Sequence, residues 1–522
     1  MIKQAQEILS LLPSSIQYAD VRIVDQQSEQ IATKDGVVEA LESSTSRGYN
    51  VRILKNGVWG FAASNDSSKE GVEATIKKAM EITRASTRYK QEDVALDDQK
   101  PVKATYKTPV TEDPFAVPME EKITLLLEAD KAQRVSDTIA ISQTSYQANR
   151  EKKYFVSTIG SEIEQEITWT GAGIEASAVS GGEFQNRSYP NSFRGQNQTR
   201  GFELVRELKL AEHAPRIGQE AVDLLTADLC PSGTFDIILD GNQLGLQIHE
   251  SCGHAVELDR VLGYEASYAG TSFLTPEKLF DFQYGSPIVN LTADATIPGG
   301  LGTFGYDDEG VPAQRTFLVK NGMFEDYITS RETVTKLHKI NPKYNKKSNG
   351  TVRASSWSRL PMIRMTNINL EPGDKRDISR QAQTLHNSNG SKAPGASWRN
   401  GLKISSAHGG SLEELIADTK YGIFMSTNRS WSIDDKRYNF QFGTEIAWEI
   451  KDGKLGRMLK NPTYQGITPE FWNSCDAICG RGEWTVWGTP NCGKGQPSQI
   501  MYTGHGASPA RFRNVKVGVV KW

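Results

Sequence analysis

The stretch TFDIILDGNQLGLQIHESCGHAVELDRVLG, residues 234–263, places His249, Glu250 and His254 within six residues of one another. Its opening, TFDIILD, is rich in β-branched and aromatic residues and ends at Asp240-Gly241, which predicts a buried strand followed by a turn. Beyond the turn Leu244, Ile248, Ala255, Val256 and Leu258 recur roughly as one helix face would. The residues that carry chemistry are therefore expected on a helix that emerges from a strand. Two histidines and a glutamate in this order read as two metal ligands and a general base.

The spacing departs from the familiar zinc-protease pattern, in which histidines four apart lie about 40° from each other on a helix. Five apart, they would diverge by about 140° in a regular helix, too far for both rings to meet one ion. A π-bulge would absorb the extra residue; alternatively the helix ends early and His254 reaches back from a turn. Gly253 tolerates either distortion. A distorted helix is thus predicted over 250–254. Such a triplet arises by chance in about one chain in two hundred, and the plainer reading is a pair of helix histidines capped by backbone.

A catalytic zinc site takes three protein ligands and keeps one position for water. The third ligand has to come from His213, His338, His386, His408, His505 or one of the cysteines, 230, 252, 475, 479 and 492. Cys492 sits in TPNCGKGQPSQ, where glycines and prolines make a tight loop, and nearby Lys494 would depress its thiol pKa. Cys475 and Cys479 form a rival C-x-x-x-C pair. Cys252, between the two histidines, is expected to pack into the core.

Four blocks in order, HESCGHAVELDR, YDDEGVPAQRT (306–316), RMTNINLEPGD (364–374) and CGKGQP (492–497), resemble the TldD/PmbA metalloproteases, once called modulators of DNA gyrase. The resemblance is closest to the TldD side, because PmbA-like partners lack the metal motif. Residues 19–66 also look like that family's amino-terminal domain. The resemblance implies that His249, His254 and Cys492 bind one Zn2+ per chain and that Glu250 activates the water. It further implies peptides or unfolded segments as substrates, with a cleft closed between two subunits in a homodimer or a heterodimer with a PmbA-like partner. The segment FWNSCDAICGRGEWTVWGTP (471–490) departs from the family pattern and keeps Cys479 as a substitute ligand.

At 522 residues the chain has room for two to four domains. Its net charge of −3 and the lack of a basic block beyond NPKYNKK (341–347) argue against nucleic-acid binding, and with it a gyrase-binding role. No run approaches the 18 or so apolar residues of a spanning helix, and the first residues read as a short amphipathic helix rather than a signal peptide. Five cysteines without framework spacing point to a reducing compartment, and the cytoplasm is expected.

Hairpin turns are predicted at Lys34-Asp35-Gly36, Lys55-Asn56-Gly57, Asn321-Gly322 and Asp452-Gly453. Helices are predicted over 67–86, 118–137, 201–229 and from Ser411, whose serine and following glutamates form a cap. Between the second and third helices, the alternating runs TIAISQTSYQANR, KYFVSTIG and EIEQEITWTGAGIEASAVSG read as an antiparallel meander, whereas 87–112 reads as a surface crossing. The expected architecture is α+β in two domains: 1–230 with antiparallel strands and long helices, and 231–522 mainly β with the metal helix. The polar stretch 341–400 is expected to line a cleft, and ARFRNVKVGVVKW to close the sheet.

Three further residues are candidate substrate contacts: His505, Arg364 and Asp307. The acidic triplet Asp307, Asp308 and Glu309 otherwise reads as an exposed hairpin end. The function expected is peptide hydrolysis. The rival is a binding or scaffold subunit with a structural metal, which a fourth protein ligand such as Cys479 would favour.

Overall fold

The computed structural model describes residues 1–377, 379 and 403–519. His386 and all of the 380–400 part of the predicted cleft lining lie outside the described residues. Two eight-stranded sheets organise the α+β fold, one within residues 18–198 and one within 228–519.

The first sheet runs in the order Val58–Ser64, Val37–Lys55, Tyr18–Lys34, Ile139–Ser157, Glu162–Ser180 and Lys103–Lys107. Its hairpins form where two consecutive residues adopt the left-handed region: Asp35 and Gly36 at φ 54° and 81°, Asn56 and Gly57 at 53° and 70°. That is the type I′ geometry whose twist matches paired strands. The second sheet repeats it at Asp452-Gly453, and Asn321-Gly322 turns the small sheet between them in the chain. The helix expected over 67–86 spans Lys69–Ser86, with the Ser68 hydroxyl accepting from the Gly71 N–H, and lays Val72 and Ala79 on Val21, Val51 and Ile53. The later helices, Met119–Ala132 and Leu210–Thr226, cover the other half of this sheet through Leu126, Ala129, Ile217 and Ala221.

Two expectations need correction here. The 87–112 surface crossing contains a strand, Lys103–Lys107, that pairs parallel with Glu162–Glu166. The runs TIAISQTSYQANR and KYFVSTIG, read separately, are one continuous strand, Ile139–Ser157. Lys153 within it is buried and paired to Asp308 at 2.6 Å, an ion pair with the carboxyl-terminal half.

In the second sheet Tyr421–Ile433, Gly233–Leu239, Ala510–Val519, Pro462–Ile467 and Asn439–Lys451 pair in that order, and the last returns to the first, closing a ring. The carboxyl-terminal strand thus lies inside the sheet, between Gly233–Leu239 and Pro462–Ile467. Phe471, in the segment that departs from the family pattern, stacks on Phe512 with ring centroids 4.0 Å apart. Its neighbour Trp472 is fully buried and donates its Nε1–H to Ser251 Oγ, pinning the segment that carries His249 and His254 to the core.

The stretch after 341 lines a cavity through Val352 and Leu360 to Ile363, while much of its polar part is packed inside. Asn349, Thr351, Arg353, Arg364, Asn367 and Asn369 are all buried. Asn367 accepts from the Gly302 N–H and donates to the Asp294 carbonyl, and Asn369 accepts from the Gly506 N–H. Side-chain hydrogen bonds to backbone, rather than apolar periodicity, hold this segment inside. Among the described residues no helix is long and apolar enough to cross a membrane.

Candidate metal centre

Strand Gly233–Leu239 delivers the chain to Asp240, whose carboxylate accepts from the Gln243 N–H at 2.9 Å and caps the helix Gly241–Ile248. The helix then widens. Residues His249–Gly253 form a single π turn closed by the His254 N–H donating to the His249 carbonyl, and His254–Val256 tighten into a 3₁₀ turn. The π turn absorbs the odd residue. The two imidazoles come onto one side of the helix with ring centroids 4.8 Å apart. Gly253 serves this turn differently from the expectation: its φ of −51° is ordinary helix. The glycine instead lets the Met365 side chain lie directly on the turn, its sulfur 2.3 Å from where a Cβ would be.

Cys492 arrives from the strand Thr485–Lys494, which pairs with Gln499–Ala507. Ligand atoms of His249, His254 and Cys492 all lie within 4.8 Å of one another, and all three residues are buried. Cys492 Sγ is 3.8 Å from His254 Nε2.

Each of these side chains is held from behind. His254 Nδ1 faces Glu257 Oε2 at 2.9 Å, which leaves Nε2 for an ion. His249 Nδ1 is 2.7 Å from His505 Nε2, and His505 Nδ1 is 3.3 Å from the Ile368 carbonyl. A consistent assignment follows: His505 donates from Nδ1 to the carbonyl and accepts at Nε2 from the His249 Nδ1–H, so the free lone pair of His249 is on Nε2. Burial holds both His249 and His505 below the ordinary histidine range, which keeps them neutral and able to play these parts. Glu257 is held in turn by Lys494 at 3.2 Å and Arg260 at 3.6 Å. Lys494 also reaches Asp259 at 2.8 Å and Glu265 at 3.1 Å, tying the cysteine strand to the histidine helix.

The thiol is tuned by a different cation from the one expected. Burial would raise Cys492, but Arg364 and then His254 outweigh it and bring the thiol below its ordinary pKa. Arg364 donates to the Cys492 carbonyl at 2.5 Å, whereas Lys494 is occupied with its three carboxylates. The rival thiols behave oppositely: burial pushes Cys479 up to about 12 and Cys475 well above its usual value.

Two imidazole nitrogens and a thiolate are the donor set of a zinc site, and tetrahedral bonds of about 2.0 and 2.3 Å would need donors about 3.5 Å apart. The observed separations are close enough for side-chain adjustment to meet that geometry. Among the described residues no fourth histidine, cysteine or carboxylate joins the cluster. Glu250, one residue from the first ligand, is buried at the same place with Oε2 at 2.7 Å from Arg437 Nη1.

Comparison with known proteins gives three family models that together cover most of the chain: PmbA/TldA metallopeptidase domain 1 over residues 19–83, its central domain over 112–229 and its C-terminal domain over 232–519. A metalloprotease of Methanocaldococcus jannaschii is 31% identical over 493 residues, 94% of this chain and 95% of that protein. The chain belongs to the TldD/PmbA family. A protein named zinc metalloprotease TldD homolog from Saccharolobus solfataricus is 21% identical, covering 91% of this chain and 90% of its own length. The fold is that of a putative modulator of DNA gyrase from Thermotoga maritima, at TM-score 0.73 and 15% identity over 99% of both chains. TldE from Thermococcus kodakarensis matches at TM-score 0.65 and 15% identity, over 99% of this chain and 98% of that one.

In this TldD/PmbA chain the other candidates fall in different places. His505 and Arg364, expected as substrate contacts, are buried against the candidate ligands, one on the His249 ring and one on the Cys492 carbonyl. Asp307 is buried, and its oxygens accept from the N–H groups of Glu309, Val311 and Val352 at 2.9–3.1 Å, so the substrate-contact reading is withdrawn. Asp308 pairs with Arg22 and Lys153, both at 2.6 Å, making the acidic triplet a clamp between the two halves of the chain and not an exposed turn. Cys475 and Cys479 are core residues outside the cluster, and Cys252 packs as expected. His408 accepts from the Ile478 N–H, and His213 stacks on Tyr189. Sequence reasoning missed Glu257 and Arg437. Glu257 carried a signal, a carboxylate three residues beyond a ligand histidine, whereas Arg437 sits in DDKRY, which reads as an ordinary solvated turn.

Proposed function

We propose that the chain is a zinc-dependent peptidase in which His249, His254 and Cys492 hold the metal and Glu250 is the general base. The observation that carries this reading is the convergence of three neutralisable donors on one point, with a carboxylate beside them and no fourth protein ligand among the described residues. A structural zinc site is closed by four ligands, so the open position favours catalysis over a scaffold role.

Zinc in this site would polarise a carbonyl and lower the pKa of bound water toward neutrality. The chain's own residues supply the rest. Glu250 accepts the water proton and returns it to the leaving amine. His505 and Glu257 fix the imidazoles so that each presents Nε2. Arg364 keeps the Cys492 sulfur anionic. Substrates on this reading are peptides or unfolded segments, matching the metallopeptidase names of the relatives. A homodimer, or pairing with a PmbA-like subunit of the kind represented by TldE, is the assembly proposed. Five free, buried thiols suit the cytoplasm.

The test is Glu250→Gln with metal analysis and hydrolysis of unstructured peptides. About one zinc per chain is expected in both proteins, with hydrolysis reduced by ~10²–10⁴ in the variant. Parental turnover in the variant would overturn the assignment.

A further inference from the structure

The hairpin between strands Tyr421–Ile433 and Asn439–Lys451 carries its tip, residues 434–438, over the metal centre. Two features set the tip apart. Arg437 has φ 62°, a conformation disfavoured for a non-glycine residue that persists where the surroundings enforce it. They do so here: the Arg437 N–H donates to the Asp434 carbonyl at 2.9 Å, and the Arg437 carbonyl accepts from Thr468 Oγ1 at 2.9 Å. The tip is also stitched to the segment after the metal helix, where the N–H groups of Thr271 and Phe273 donate to the carbonyls of Asp435 and Lys436.

This scaffolding delivers a guanidinium that is only 13% exposed and incompletely used. Nη1 donates to Glu250 Oε2 at 2.7 Å, while the buried Nε–H has no partner. A guanidinium has five N–H donors in a fixed fork, and a buried donor left unmatched is costly. A catalytic role is one of the ways such a buried donor is accounted for, and its place beside Glu250 is what singles out Arg437.

A thiolate ligand weakens the ion as a Lewis acid, and Arg437 is the cation placed beside Glu250 to share in stabilising a developing oxyanion.

We propose that Arg437 is a catalytic residue that donates a hydrogen bond to the carbonyl oxygen of the scissile peptide as that oxygen becomes an oxyanion. The inference rests on the peptidase reading above. The water oxygen bonds to the carbonyl carbon, the C=O π pair moves onto the oxygen facing Arg437, and the water proton passes to Glu250. The pair then returns, the C–N bond breaks, and Glu250 gives its proton to the departing nitrogen. Peptide and water become carboxylic acid and amine. The bridge to Glu250 keeps base and donor in fixed relation through both steps.

The experiment compares the full-length zinc-loaded protein with Arg437→Gly, which suits the left-handed turn, and Arg437→Lys, which keeps charge without the fork. One unstructured peptide is used for kcat and KM, and a phosphinic peptide of the same sequence for affinity, with zinc content and thermal unfolding alongside. For Arg437→Gly, kcat is expected to fall ~10²–10³-fold with KM within about threefold, and phosphinic-peptide affinity to fall in parallel. Added guanidinium should restore part of the rate, and Arg437→Lys should lose about tenfold. Unchanged or raised kcat, as for a latch that merely restrains Glu250, would overturn the proposal; so would a loss confined to KM. If Arg437→Gly does not fold, the Lys variant decides: parental kcat overturns the proposal, and a lower kcat with parental zinc and melting temperature supports it. Glu250→Gln separates the two claims. An inactive Glu250→Gln beside a fully active Arg437→Gly sinks only the arginine, whereas an active Glu250→Gln, or a parental protein without hydrolysis, removes the peptidase reading and this inference with it.

Discussion

Two buried polar clusters in the carboxyl-terminal half use similar residues to opposite ends. In the clamp at 307–309, three carboxylates are matched by Arg22, Lys153, Arg52 and a ring of backbone N–H groups, which ties them to the amino-terminal half. In the centre at 249–254 and 492, the two imidazoles are matched from behind and Cys492 is held through its carbonyl, and the donor atoms converge on a point that no other histidine, cysteine or carboxylate joins among the described residues. Burial of charge alone does not mark a functional site. Directed incompleteness does.

Substitutions should separate the two clusters cleanly. The largest contrast is Cys492→Ser against Cys479→Ser: the first should abolish zinc binding and the second leave it intact, by metal analysis of the purified proteins. Zinc loss in Cys479→Ser instead would collapse the distinction. Next, Asp308→Ala leaves Arg22 and Lys153 buried without their partner and should cost about 3–5 kcal/mol in denaturant unfolding, with zinc content unchanged. A clamp variant that loses metal before it loses stability would show the clusters to be one unit.

A third prediction concerns pH. Burial, and then Glu445, raise Glu175 to about 7, so its contribution to stability is fully present below the unfolded value near 4.5 and is lost as pH rises through 7. Glu175→Gln should therefore gain stability relative to the parent between pH 4.5 and 7, by at most about 3 kcal/mol. A parallel pair of stability curves would mean that Glu175 is solvated in the folded state. The smallest effect is at Glu257: Glu257→Gln should weaken zinc ~10–100-fold, equivalent to about 1.4–2.7 kcal/mol, in a chelator competition. Unaltered affinity would show that His254 needs no support from behind.

Much of this was legible in the chain itself, for identifiable reasons. Hairpins announced themselves because Asn-Gly and Asp-Gly are the residues that tolerate two successive positive φ values. The π turn followed from arithmetic, since histidines five apart meet one ion only if the helix takes up a residue. What stayed hidden was long-range. The buried ion pair of Lys153 with Asp308 joins residues 155 positions apart, which no local pattern announces. The buried asparagines at 349–369 have no apolar period because their burial is satisfied by hydrogen bonds. Arg437 reads as a turn residue, and only the closed ring of strands brings it to Glu250.

The central claim is that two imidazoles and the Cys492 sulfur share one ion. X-ray absorption at the metal edge of the zinc-loaded protein tests it most directly. The account predicts one sulfur at about 2.3 Å with nitrogen or oxygen scatterers at about 2.0–2.1 Å, and loss of the sulfur shell in Cys492→Ser. A first shell without sulfur, or with two sulfurs, would contradict it.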